Sequence, residues 1–150
     1  LTVAGYDADG YLTYPDGSYD DGYAGWLADA ASRGRADVLA VATIDEQIVG
    51  TVTWCPYGSP SAQLALAPHQ GEFRTLSVDP GTRGRGVGRA LVEWCLERAR
   101  TSGLTEVVLC SLDEMAPAHR LYLSMGFRRR PELDWSPEPA VRLLAFSLSL

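Results

Sequence analysis

Apolar residues recur at spacings of three and four between Tyr19 and Arg33, where Tyr23, Trp26, Leu27 and Ala30 share one face. That spacing predicts a single short amphipathic helix. Ahead of it, Asp7 to Ser18 is rich in Gly, Asp and Pro and reads as loop. The pattern then changes. Asp37 to Ile44 is an apolar run, Asp45-Glu46 a turn, and Gln47 to Trp54 a second run with Ile48, Val49, Val52 and threonines, which together predict a β-hairpin. Cys55 to Gly71 holds Pro56, Gly58, Pro60 and Pro68 and predicts a long connection, read either as a functional loop or as a solvated insertion.

Phe73 to Val78 forms the next strand, ended by Pro80-Gly81. Val87, Leu91, Trp94, Cys95 and Ala99 then trace one stripe of a helix whose wet side carries Arg89, Glu93, Glu97 and Arg100, and which stops near Gly103. Thr105 to Leu112 is almost continuously apolar, as a strand buried on both faces would be. Ala118, Leu121, Tyr122 and Met125 mark another helix, closed by Gly126. Phe127 to Leu133 and Val141 to Leu150 are closing strands, separated by a connection over 134–139. The order predicts an α/β domain with mixed strand directions.

Composition supports one compact unit. The chain has 150 residues, 46% hydrophobic and 21% charged, enough apolar surface for one core and too little length for two ordinary domains. No apolar stretch approaches the roughly 20 residues of a membrane span. The net charge of −6 is concentrated at the start, where Asp7, Asp9, Asp16, Asp20, Asp21 and Asp29 precede the first Arg at 33. Nucleic acid is an unsuitable partner for an acidic chain without a long basic run, and Arg128-Arg129-Arg130 reads as a solvated strand end. Every basic residue apart from the two histidines is Arg, and Asn is absent, which points to a GC-rich bacterial genome. Cys55, Cys95 and Cys110 show no metal-ligand spacing, so the expectation is a reducing cytoplasm and no metal. No signal peptide is visible, and the start at Leu1 is compatible with a segment upstream.

The chemistry concentrates between Val78 and the following helix, in Gly81-Thr82-Arg83-Gly84-Arg85-Gly86-Val87-Gly88-Arg89. A strand, a permissive loop and a helix start with free amides suit a phosphate or pyrophosphate. A P-loop requires Lys, and the chain has none. A dinucleotide fingerprint needs a third glycine where Leu91 or Arg89 falls. Arg83, Gly86 and Gly88 do satisfy R-x-x-G-x-G, which resembles the acyl-CoA loop of the GNAT superfamily of N-acetyltransferases. Glu72-Phe73-Arg74-Thr75-Leu76-Ser77-Val78-Asp79-Pro80 resembles the strand before that loop, and Ala118 to Phe127 resembles the family's A-x-x-L-Y-x-x-x-G-F helix.

The resemblance implies a mixed, mostly antiparallel sheet flanked by helices, with parallel strands splayed around the cofactor, in one domain over residues 1–150. It implies acetyl transfer from acetyl-CoA to an amine by direct attack. Leu76, Ser77 and Val78 would pair with the pantetheine arm, and Arg83, Gly84, Arg85, Gly86, Val87, Gly88 and Arg89 would hold the pyrophosphate. Tyr122 matches the family's proton donor to the departing sulfur, and Glu72 occupies a position where some members place the general base. His119 is an alternative base or a surface residue, and Cys110 an acylated nucleophile or an ordinary core thiol. Two features depart from the family pattern: Met115 stands where many members carry Asn, and the opening helix near Leu1 to Tyr6 implies that the first strand is missing.

The expected acceptor is a peptide N-terminus, an amino acid, a polyamine or an aminoglycoside-like amine. The acids of the first segment suggest a cationic one, drawn in by Asp7, Asp9, Asp16, Asp20 and Asp21. A homodimer through the last strand and the segment around Trp135 is a further expectation. A non-catalytic acyl-CoA-binding module is the alternative, with a nucleotide-binding module more distant.

Overall fold

A computed structural model describes all 150 residues. Helices α1 (Thr2–Ala8), α2 (Asp21–Ala28) and α3 (Ala30–Ala36) lead into β1 (Val38–Ile44), β2 (Gln47–Pro56) and β3 (Gln70–Val78). Then follow α4 (Val87–Thr101), β4 (Glu106–Leu112), α5 (Ala116–Ser124), β5 (Arg128–Arg129), β6 (Trp135–Glu138) and β7 (Val141–Ser149). The seven strands form one sheet in the order β1-β2-β3-β4-β7-β5, with β6 paired to β7. Every pairing is antiparallel except β3 with β4.

The hairpin forms as its pattern predicts, with Asp45 and Glu46 both at positive φ, the two-residue turn whose twist matches the strands. Helix α4 buries Val87, Leu91, Val92, Cys95, Leu96 and Ala99 against the sheet, each large aliphatic side chain contributing about 2 kcal/mol. Helix α5 ends where Gly126, at φ 94°, takes a conformation that costs other residues strain.

Four expectations change. The single helix over Tyr19 to Arg33 is two, because the Asp29 carboxylate accepts from the Ser32 amide at 2.9 Å and starts α3 there. Arg33, buried, closes the end of α2 by donating to the carbonyls of Trp26 and Leu27 at 2.8 and 2.6 Å. The strand expected from Phe127 to Leu133 lasts only two residues, since Pro131, which has no N–H, opens a 3₁₀ turn over Pro131–Leu133. The connection over 134–139 contains β6, a hairpin partner of β7. Finally, Arg128 is exposed as expected, but Arg129 and Arg130 are half-buried and paired: Arg129 with Asp134 at 2.7 Å, and Arg130 with Glu106 at 3.0 Å and Glu132 at 2.5 Å.

Candidate active site

Strands β3 and β4 run parallel only across Gln70↔Glu106, Gly71↔Val107 and Glu72↔Val108. Beyond Glu72 they part. A bulge turns β3 aside: its register against β2 jumps from Thr53↔Arg74 to Thr51↔Ser77, and Thr75 lies at φ 52°. That conformation is strained for a β-branched residue, and a buried hydrogen bond between the Thr53 and Thr75 hydroxyls at 2.7 Å holds it. The β4-facing edge of residues 73–78 is thus left without a strand partner.

Two cavities occupy the wedge. The smaller, about 440 Å³, lies at the end of β3 and the start of α4. Leu76, Ser77 and Val78 line it, as do Arg83, Gly84, Gly86, Val87, Gly88 and Arg89; of the expected set, only Arg85 stays outside, exposed. Gly84 and Gly86 sit at φ 77° and 82°, values open to glycine. The first amides of α4 meet no side-chain cap, so they present free donors at the positive end of the helix. Arg83 already has a partner, gripping the Asp9 carboxylate with both terminal nitrogens at 2.7 and 2.8 Å. Arg89 donates to the Ser124 hydroxyl at 2.8 Å.

The larger cavity, about 930 Å³, extends from the same wedge toward α2, the β2–β3 connection and the β6–β7 hairpin. The cavities share Leu76, Met115 and Ala118, together with Tyr6 and Tyr11 from the first segment. Helix α1 reaches the wedge because Gly5 packs on Ser77, where a Cβ would come within 2.4 Å of the Ser77 hydroxyl oxygen. Across the mouth, Tyr14 donates to Asp20 at 2.9 Å and touches the Glu138 carboxylate, tying the first loop to β6.

Tyr122 stands on the wall of this cavity. Its ring is wedged among Phe73, Phe146 and Phe127, with centroids 5.7 to 5.9 Å away. Its hydroxyl has no hydrogen-bond partner within the protein, and burial raises its pKa above the ordinary tyrosine value, so the proton stays on at neutral pH.

Glu72 differs from its expected place. It lies inside β3, wholly buried, and lines neither cavity. Its Oε2 accepts from the amides of Gln63, Leu64 and Ala65 at 2.7, 2.7 and 3.1 Å, pinning the β2–β3 connection over the sheet, while Oε1 has no partner. Desolvation raises its pKa, against the opposing pull of those three amides and Arg74. His119 also lies off the cavities; its Nε2 meets the Leu112 carbonyl at 3.0 Å, and burial lowers its pKa. Cys110 does line the larger cavity, with its thiol pushed up to about 11 by burial. Of the five acids expected to steer a cation, only Asp20 faces that cavity, and Asp113, Glu114 and Glu138 join it there.

A family model described as "Acetyltransferase (GNAT) family" matches residues 5–127. The chain belongs to the GNAT acetyltransferase family. Human N-acetyltransferase 8B is 38% identical over 89 residues, 59% of this chain and 37% of that protein. Mycothiol acetyltransferase of Acidothermus cellulolyticus is 38% identical over 98 residues, 61% and 30% of the two chains. This GNAT chain therefore spans about a third of the length of these relatives. Among solved structures, yncA of Salmonella typhimurium, determined with its cofactor acetyl-CoA, superposes with a TM-score of 0.61 at 19% identity, covering 99% of this chain and 84% of its own. The GNAT fold accounts for the splayed β3 and β4. Tyr6, Tyr11 and Arg74 are site residues for which the sequence offered no role, since none of them stands in a recognisable spacing with the others.

Proposed function

We propose that this protein transfers an acetyl group from acetyl-CoA to an amine by direct attack within a ternary complex. The observation that carries the reading is the meeting of two cavities at Leu76, with uncapped helix amides in one and the unpartnered Tyr122 hydroxyl in the other. The donor set suits acetyl-CoA: free amides and two arginines for a pyrophosphate, and an unpaired strand edge for an amide-bearing arm. Relatives named for acetyl transfer support the same reading.

Acetyl-CoA supplies an activated thioester when bound. The chain's own residues then position and polarise. The first amides of α4, with Arg83 and Arg89, hold the phosphates, and the open edge at Leu76 to Val78 orients the arm. Backbone amides on that edge stabilise the negative charge that develops on the carbonyl oxygen. The amine attacks as its free base, and Tyr122, protonated at neutral pH, gives its hydroxyl proton to the departing sulfur and regains one from the attacking nitrogen as the amide forms. Glu72 serves as the anchor of the β2–β3 connection, and the carboxylates of the larger cavity receive the acceptor's ammonium. The raised Cys110 pKa favours direct attack over an acylated cysteine, since the thiolate is scarce at neutral pH. Three unpaired cysteines suit a reducing cytoplasm, and the all-arginine basic complement a GC-rich bacterial source.

Initial-rate kinetics of CoA thiol release with varied acetyl-CoA and amine test the reading. Intersecting double-reciprocal lines, unchanged in Cys110→Ala, are expected. Parallel lines lost in Cys110→Ala would replace direct attack by a covalent route, and acetyl-CoA binding without turnover for any amine would leave a binding module.

A further inference from the structure

The larger cavity contains one cation that the protein leaves unmatched. Two arginines line it, Arg74 and Arg142. Arg142 is largely exposed and lies 3.8 Å from Asp134. Arg74 is half-buried on β3, and no carboxylate pairs with it. The nearest acid along its own strand, Glu72, holds three backbone amides instead. One Arg74 nitrogen, Nη1, donates to the Ser61 carbonyl at 2.8 Å, and the guanidinium lies 5.0 Å from the Trp26 ring centroid. These two contacts fix the group in place while leaving Nη2 and Nε without a protein acceptor. The free edge of this half-buried guanidinium faces the open cavity, and its fork matches a carboxylate.

Arg74 is two residues before Leu76, across the bulge at Thr75, and both line the larger cavity, so an acceptor held by Arg74 lies beside the edge proposed to hold the acetyl carbonyl. Its neighbours on the wall are Trp26 and Tyr23, stacked with ring centroids 5.7 Å apart. The carboxylates of Asp20, Asp113, Glu114 and Glu138 lie elsewhere on the same cavity.

We propose that the acceptor is a molecule of the α-amino acid class, whose carboxylate is bound by Arg74, whose side chain rests against Trp26 and Tyr23, and whose amine points to Leu76. Arg74 is thereby the specificity-determining residue of the acceptor site. The proposal rests on the acetyltransferase reading and narrows its acceptor to one that carries both charges.

The test is CoA thiol release with acetyl-CoA and matched acceptors: L-phenylalanine, L-leucine and L-methionine, each as free acid and as carboxamide, with spermidine as a cation lacking a carboxylate. The amine of a carboxamide is less basic, so more of it is neutral and intrinsic reactivity favours the amide. A preference for the acid therefore isolates recognition. For the wild-type protein, kcat/KM for the acid should exceed that for the amide by roughly tenfold or more, the worth of a charge-assisted pair. In Arg74→Gln that ratio should collapse through a higher KM for the acid, and Arg74→Lys should recover part of it. Acetyl-CoA should stabilise Arg74→Gln against heat as much as it does the wild type, showing that the fold persists. Turnover of amides or spermidine in preference to acids overturns the proposal and leaves the acetyltransferase reading standing. Equal losses for acid and amide in Arg74→Gln reduce Arg74 to a tie between Trp26 and Ser61, and overturn it too. Thiol release with none of these acceptors or any other amine overturns both.

Discussion

The two cavities that meet at Leu76 are made of different materials. The smaller offers backbone along one side, where glycines at positive φ, the uncapped start of α4 and the open edge of β3 face side chains of α1 and α5. The larger is walled by side chains from six separate segments, among them Tyr6, Tyr14, Trp26, Arg74, Tyr122 and Glu138. A backbone site recognises what all acyl-CoA molecules have in common, and it depends little on which side chains surround it. A side-chain site recognises one acceptor and can be rebuilt residue by residue. In the proposed transfer, the division puts the invariant part of the reaction on one side of Leu76 and its selectivity on the other.

The strongest challenge to this division is Tyr122→Phe, because Tyr122 lines the side-chain cavity and is proposed to act on the sulfur leaving from the other one. Loss of its proton should lower kcat by roughly 10²–10³, with Tm unchanged, as the ring keeps its packing against three phenylalanines. In the wild type, the raised Tyr122 pKa means that kcat shows no basic limb from this residue below about pH 10.

Glu72 separates anchoring from catalysis. Glu72→Ala leaves three buried amides without an acceptor and should cost at least about 3 kcal/mol, measured by denaturant unfolding. Glu72→Gln keeps an oxygen for those amides, and its kcat/KM should stay within a few-fold with an unshifted acidic limb; loss of that limb would restore Glu72 as a base. The sign of its pH effect also follows. A carboxyl whose pKa is raised by burial binds its proton more tightly in the folded state, so its stabilising contribution is complete below the ordinary glutamate range and declines as pH rises through the raised value. In Glu72→Gln that decline should disappear.

Gly86→Val tests the backbone side. Imposing a β-branched residue at φ 82° should cost about 1–2 kcal/mol and weaken acetyl-CoA roughly tenfold, read from thermal shift, while acceptor KM hardly changes. Smallest is Asp9→Asn. Arg83 and Asp9 are both partly exposed, a pair worth under about 1 kcal/mol. Freeing Arg83 should lower the KM for acetyl-CoA by roughly twofold, with the gain disappearing in high salt.

The same division explains what could be read before the structure. The glycine-rich side of the smaller cavity comes from one contiguous stretch, residues 76 to 89, so its spacing was visible, as were the hairpin, α4, β4 and α5, whose periods reflect simple burial. Arg74 and Tyr6 gave no such signal, because nothing local relates residues brought together only by the sheet. The burial of Glu72 was not legible, because the three amides that hold its carboxylate lie seven to nine residues upstream in an irregular loop. The split between α2 and α3 was hidden because Asp29 and Arg33 act through backbone groups that a helical stripe does not reveal.

In the proposed reaction, one wedge between β3 and β4 brings the cofactor's sulfur to Tyr122. A crystal structure of the protein with CoA tests it most directly. The pyrophosphate is expected on the amides of residues 84–89, the pantetheine arm along Leu76 to Val78, and the sulfur within about 3.5 Å of the Tyr122 hydroxyl. CoA bound with its sulfur outside the wedge, beyond reach of that hydroxyl, would contradict it.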